Sequence, residues 1–105
     1  DDAIEGILLA ASSPKSVGET INICSGHGIR VRDLVRKCLA MMGDPVAPEF
    51  GALPNRENEM WHQTGDNQLA YGLLGWKPPT TLDLGLSQTI AWYRENRKFA
   101  LRLMK

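Results

Sequence analysis

The chain has 105 residues, enough for one small domain with one modest core. Its 12 basic side chains balance its 12 acidic ones, so no charge excess calls for nucleic acid or for an anionic membrane surface. A hydrophobic content of 43% excludes a disordered chain, and the longest apolar run, residues 7–11, is far too short to span a bilayer. No basic n-region precedes an apolar stretch, so no signal peptide is read. Two cysteines, Cys24 and Cys38, are too few for a disulfide framework and fit free thiols in a reducing cytoplasm.

"DDAIEGILLAA" reads as a helix from its first residue. Asp1 or Asp2 can cap it, and Ile4, Ile7, Leu8 and Ala11 share one face. A chain that begins at a helix cap, with no disordered lead, has the look of a cut one. "SSPKSVG" is a turn. "ETINICSG" alternates Ile21 and Ile23 against Thr20, Asn22 and Cys24, the period of a strand, closed by Gly26 and Gly28. "IRVRDLVRKCLAMMG" carries the clearest helical pattern: Val31, Leu34, Val35, Cys38, Leu39 and Met42 oppose a charged face, and Gly43 stops it.

"VAPEF" reads as a short edge strand because Pro48 cannot donate to a ladder, and "EMWHQTG" as another short strand. Asp66 is expected to cap "NQLAYGLLGW", with Gly75 ending that helix and Trp76 packing back on its last turn. "TTLDLGLSQTIAWYRENRKFALRLMK" reads as one long final helix with Thr80 and Asp83 as a capping pair. Leu82, Leu86, Ile90 and Tyr93 lie along one side of it, and Phe99, Leu101 and Met104 lie among basic residues in its tail. The expected class is α/β in a mixed α+β arrangement: a small, incomplete single domain over residues 1–105, with about four helices and two to three short strands. That is too few strands for a doubly wound sheet.

The residues give no catalytic set. Cys24 and His27 are half of a zinc spacing with no second half, so no metal is expected. "SGHG" could offer backbone N–H groups to a phosphate, but Arg30 stands where a dinucleotide fingerprint needs glycine. No tyrosine–lysine pair stands one helical turn apart. Arg56 and Glu59, in the loop "ALPNRENEMW", are a solvated surface pair on composition alone. The alternative is a ligand loop: an arginine fork takes phosphate in a bidentate way, and a carboxylate accepts hydroxyl hydrogen bonds.

The ordered set "DDAIEGILLAA", "GETINICSGHGIRVRDLV", "LPNRENE" and "GDNQLAYGLLGWKPPTTLDLGLSQTIAWYRE" resembles the C-terminal, substrate-binding segment of the extended short-chain dehydrogenase/reductases, the NAD-dependent nucleotide-sugar epimerases and dehydratases. The resemblance implies that Arg56 holds the diphosphate and Glu59 the ribose of a nucleotide sugar. It implies that Arg30, which replaces the usual serine or threonine at its helix cap, adds a cation that faces the ligand or solvent. It implies that Asn55 stands where an aromatic residue is common. NAD is expected only with an N-terminal Rossmann half, whose glycine-rich loop and Tyr-x-x-x-Lys pair are absent here, so this chain alone is expected to be no enzyme. The expected function is nucleotide-sugar binding in the cytoplasm, with a homodimer or the missing Rossmann half covering the first helix and the strand. The alternative is a stand-alone self-associating fragment without catalysis.

Overall fold

The computed structural model describes residues 1–103; Met104 and Lys105, the end of the expected terminal helix, lie outside the described residues. The helices are α1 (Asp2–Ser12), α2 (Val31–Met42), α3 (Gln68–Leu74), α4 (Leu82–Glu95) and α5 (Arg97–Leu103), with a 3-10 turn at Pro14–Ser16. No helix among the described residues is long and apolar enough to cross a membrane. The chain divides into two compact units, Asp1–Ile29 with Asn55–Pro79 and Arg30–Pro54 with Thr80–Lys105.

The expected α/β class is corrected: the described residues form helices and no strand. The reason is partnership. A strand exists through the neighbour that takes its N–H and C=O groups. The "ETINICSG" segment keeps the burial rhythm it was read from, with Ile21 and Ile23 half-buried around exposed Asn22, but among the described residues no strand lies alongside it, and its Cys24 carbonyl accepts from the Asn67 side chain at 3.1 Å. "VAPEF" and "EMWHQTG" are exposed and irregular throughout.

In the first unit α1 packs through its smallest residue. Gly6 is buried, and a methyl group placed on it would lie 3.0 Å from Ile23 Cδ1 and 3.1 Å from Trp76 Cε2. This turns the apolar face of α1 outward: Ile4, Ile7 and Leu8 are 59%, 59% and 63% exposed. The other buried residues of the unit are Ala70 on α3 and Trp76 just past it. α3 begins with the Asp66 carboxylate accepting from the Gln68 N–H at 2.9 Å and ends at Gly75, whose φ of +65° only glycine adopts at little cost. Among the described residues the buried Trp76 Nε1 has no hydrogen-bond partner.

In the second unit α2 lies against α4, and α4 against α5. Leu39 is buried on the α2 face predicted from its spacing, with Leu34, Val35 and Cys38 half-buried beside it. The capping of α4 is one residue later than expected, from Thr81, whose Oγ1 accepts from the Leu84 N–H at 3.3 Å. The single final helix is also corrected, because it breaks at Asn96. The Asn96 backbone N–H and side-chain amide both donate to the Trp92 carbonyl, at 2.9 and 3.0 Å, and Asn96 leaves helical geometry at φ −104° and ψ 27°. Trp92 packs edge-on against Tyr93 and Phe99, and Ala100 is buried on α5.

Candidate functional site

The loop from residue 50 to residue 63 has no apolar period, and Pro54 both fixes its own φ and biases Leu53 toward extended backbone. Within it the Glu59 N–H donates to the Arg56 carbonyl at 3.2 Å, closing a four-residue turn with Glu57 and Asn58 at its corner. Such a turn holds its end residues within about 7 Å of each other at Cα. Arg56 and Glu59 are those ends, and both are exposed. Among the described residues neither side chain has a hydrogen-bond or ion-pair partner; the recorded ion pair, Lys37 with Asp83, lies in the second unit. A free guanidinium fork and a free carboxylate thus stand at the two ends of one turn. The fork can donate to two phosphate oxygens at once, and the carboxylate can accept from vicinal hydroxyls.

Arg30, the third expected site residue, belongs to the second unit, whereas Arg56 and Glu59 belong to the first. It is the N-cap residue of α2: its carbonyl accepts from the Asp33 and Leu34 N–H groups at 2.9 and 3.0 Å, and its side chain is exposed. The "SGHG" turn is closed on itself. The Ser25 hydroxyl accepts from the His27 N–H at 3.2 Å, and His27 Nδ1 lies 2.9 Å from the Ser25 carbonyl. That uses an N–H that a bound phosphate needs. Among the described residues no group of three or more His, Cys, Asp or Glu side chains could hold a metal ion, and Cys24 and Cys38 are free thiols.

Two features were missed in the sequence. Phe50 receives the guanidinium groups of Arg32 and Arg36 over its ring, at 5.2 and 5.6 Å from the centroid. Cation–π contacts of this kind are worth about 0.5–1 kcal/mol at exposed sites. Trp61, two residues beyond Glu59, is 72% exposed. Its only signal was an aromatic residue in a segment without period. An open apolar groove of about 580 Å³ also runs along Ile4, Leu8 and Leu9 of α1, with Asp1, Glu5 and Ser12 at its margin; none of these belongs to the Arg56–Glu59 turn.

Relatives are found among sugar-nucleotide enzymes. A UDP-glucose 4-epimerase of Mycolicibacterium smegmatis is 29% identical over 94 residues, which cover 90% of this chain and 29% of that protein. A dTDP-glucose 4,6-dehydratase of Escherichia coli is 29% identical over 98 residues, covering 83% of this chain and 27% of that protein. An uncharacterised protein of Methanocaldococcus jannaschii is 24% identical over 102 residues, 97% of this chain and 30% of its own. The chain therefore spans less than a third of the length of these relatives. No family model matches it, and no solved structure does. Its similarity to epimerases and dehydratases is thus to one segment of them.

Proposed function

We propose that the chain is the nucleotide-sugar-binding portion of an epimerase- or dehydratase-like enzyme of the cytoplasm, with Arg56 on the diphosphate and Glu59 on the ribose. The observation that carries this reading is the similarity to a UDP-glucose enzyme over 90% of the chain. The Arg56–Glu59 turn offers chemistry that fits such a ligand, and Arg30 adds a cation in the second unit. The reading assigns NAD to length of the relatives that this chain does not span. The residues here do not fit that cofactor: "SGHG" leads to Arg30 without a glycine-rich loop, and its His27 N–H is engaged by Ser25. No hydride step is derived from them. Calorimetric titration with UDP-glucose, dTDP-glucose and NAD tests the proposal. Binding of a sugar nucleotide without tight binding of NAD is the expected result. Failure of both sugar nucleotides to bind removes it.

The outward apolar face of α1 favours a second reading, a self-associating module without catalysis. Contiguous apolar patches are rare on monomers, and Ile4, Ile7 and Leu8 form one. Ile21 and Ile23, expected to share that patch, are half-buried in the first unit, so α1 alone is left to make the contact. In the first reading this face meets the missing part of a longer enzyme; in the second it meets another copy. On the second reading light scattering should give a dimer with a melting temperature that rises with concentration, and Leu8→Glu, at a residue 63% exposed in the single chain, should give a monomer whose melting temperature no longer depends on concentration. A wild-type monomer at high concentration removes this alternative.

A further inference from the structure

We propose that Trp61 is the stacking platform for the nucleobase of the ligand held by Arg56 and Glu59, an inference that rests on the function proposed above. Trp61 is 72% exposed and Met60 beside it 69%, in a segment with no regular structure to bury either. Trp61 lies two positions beyond Glu59, with Met60 between them. Two residues of chain reach at most about 7 Å, so an exposed indole at Trp61 stays close to the carboxylate of Glu59 in the same irregular loop.

The order of the groups matches the order of the ligand. A nucleoside diphosphate runs from phosphate through ribose to base. The chain runs from a guanidinium at Arg56, through a carboxylate at Glu59, to an indole at Trp61, all in the first unit. The indole is the largest aromatic face a side chain offers, and stacking on it accepts any base because every base has a π-face. The site so described takes a nucleoside diphosphate with little preference between pyrimidine bases. Trp76 cannot take this role because it is 4% exposed, and Trp92 belongs to the second unit.

The test is calorimetric titration of wild type, Trp61→Ala, Trp61→Phe and Arg56→Ala with UDP, dTDP and inorganic pyrophosphate, together with tryptophan emission. Trp61→Ala is expected to weaken UDP and dTDP alike, by roughly tenfold, and to leave pyrophosphate unchanged. Trp61→Phe should keep part of the affinity and lose the ligand-induced change in emission. If Arg56→Ala weakens UDP while Trp61→Ala binds it as wild type does, the stacking role is overturned and the proposed function stands. If Trp61→Ala weakens pyrophosphate as much as UDP, Trp61 acts on the turn and not on the base, which also overturns it. If wild type binds none of the three, the proposed function fails and the stacking role fails with it.

Discussion

Trp76→Ala should destabilise the first unit by about 3–5 kcal/mol, the usual cost of removing a buried large aromatic side chain. Trp76 is 4% exposed, and the other buried residues of its unit are only a glycine and an alanine, Gly6 and Ala70. Of the residues meeting at Gly6, only the half-buried Ile23 could move into part of the space. Folded proteins are stable by about 5–15 kcal/mol in all, so the change removes a substantial share of the margin. It should lower the melting temperature by about 12 °C or more, at about 4–8 °C per kcal/mol for a domain of this size. Trp76→Phe should cost much less. It keeps a ring against Gly6 and Ile23 and deletes an indole N–H that has no partner among the described residues, an arrangement that itself costs about 1–3 kcal/mol. Circular dichroism melts of both variants check the order. Equal melting of Trp76→Ala and wild type would show that Trp76 does not hold the unit together.

Arg56→Ala should weaken sugar-nucleotide binding by about tenfold to a hundredfold, since a hydrogen bond to a charged group contributes on the order of 1.5–3 kcal/mol. Arg56→Lys should restore only part, because an ammonium has the charge without the planar fork. Glu59→Gln should weaken UDP and leave inorganic pyrophosphate untouched, since pyrophosphate has no ribose for a carboxylate to hold. Neither residue should change the melting temperature, because both side chains are exposed and unpaired among the described residues. Calorimetry on the three variants reads these effects directly. Equal affinities for wild type and Arg56→Ala would return the turn to plain solvated surface.

The features legible in the sequence were the local ones. Helix ends depend on a few adjacent residues, and Gly43 and Gly75 take the left-handed conformation their positions suggested, at φ +85° and +65°. Asp66, expected as the cap of α3, lies one residue before the N-cap, Asn67, and accepts from the Gln68 N–H. The turn between Arg56 and Glu59 is closed by its own backbone, but on residue type alone the pair reads as solvated surface, and only the resemblance singles it out as a ligand loop. What could not be read depends on distant partners. The alternation of Ile21, Asn22 and Ile23 says which side is buried but not whether another strand lies alongside. The spacing of Ile4, Ile7 and Leu8 says that they share a face but not that the face turns away from Trp76. Phe50 lies 14 and 18 residues beyond Arg36 and Arg32 across an irregular stretch, and no period in the sequence links them. The break at Asn96 came without proline or glycine, at a residue whose backbone and side chain share one carbonyl.

The outward face of α1 also shapes the calorimetric signature of the chain on its own. Heat capacity rises on unfolding because apolar surface enters water, by about 1.2–1.5 kcal/mol/K for an ordinary 100-residue domain. Ile4, Ile7 and Leu8 are mostly in water already, as are Leu53, Met60 and Trp61 in the long loop. They add little to that increment. The isolated chain should therefore show a heat-capacity change below the ordinary value and a shallow denaturant slope, since that slope follows the same newly exposed area. Its stability would then vary little between cold and warm temperatures. Anything that covers α1 should restore both quantities toward those of a chain with a full core.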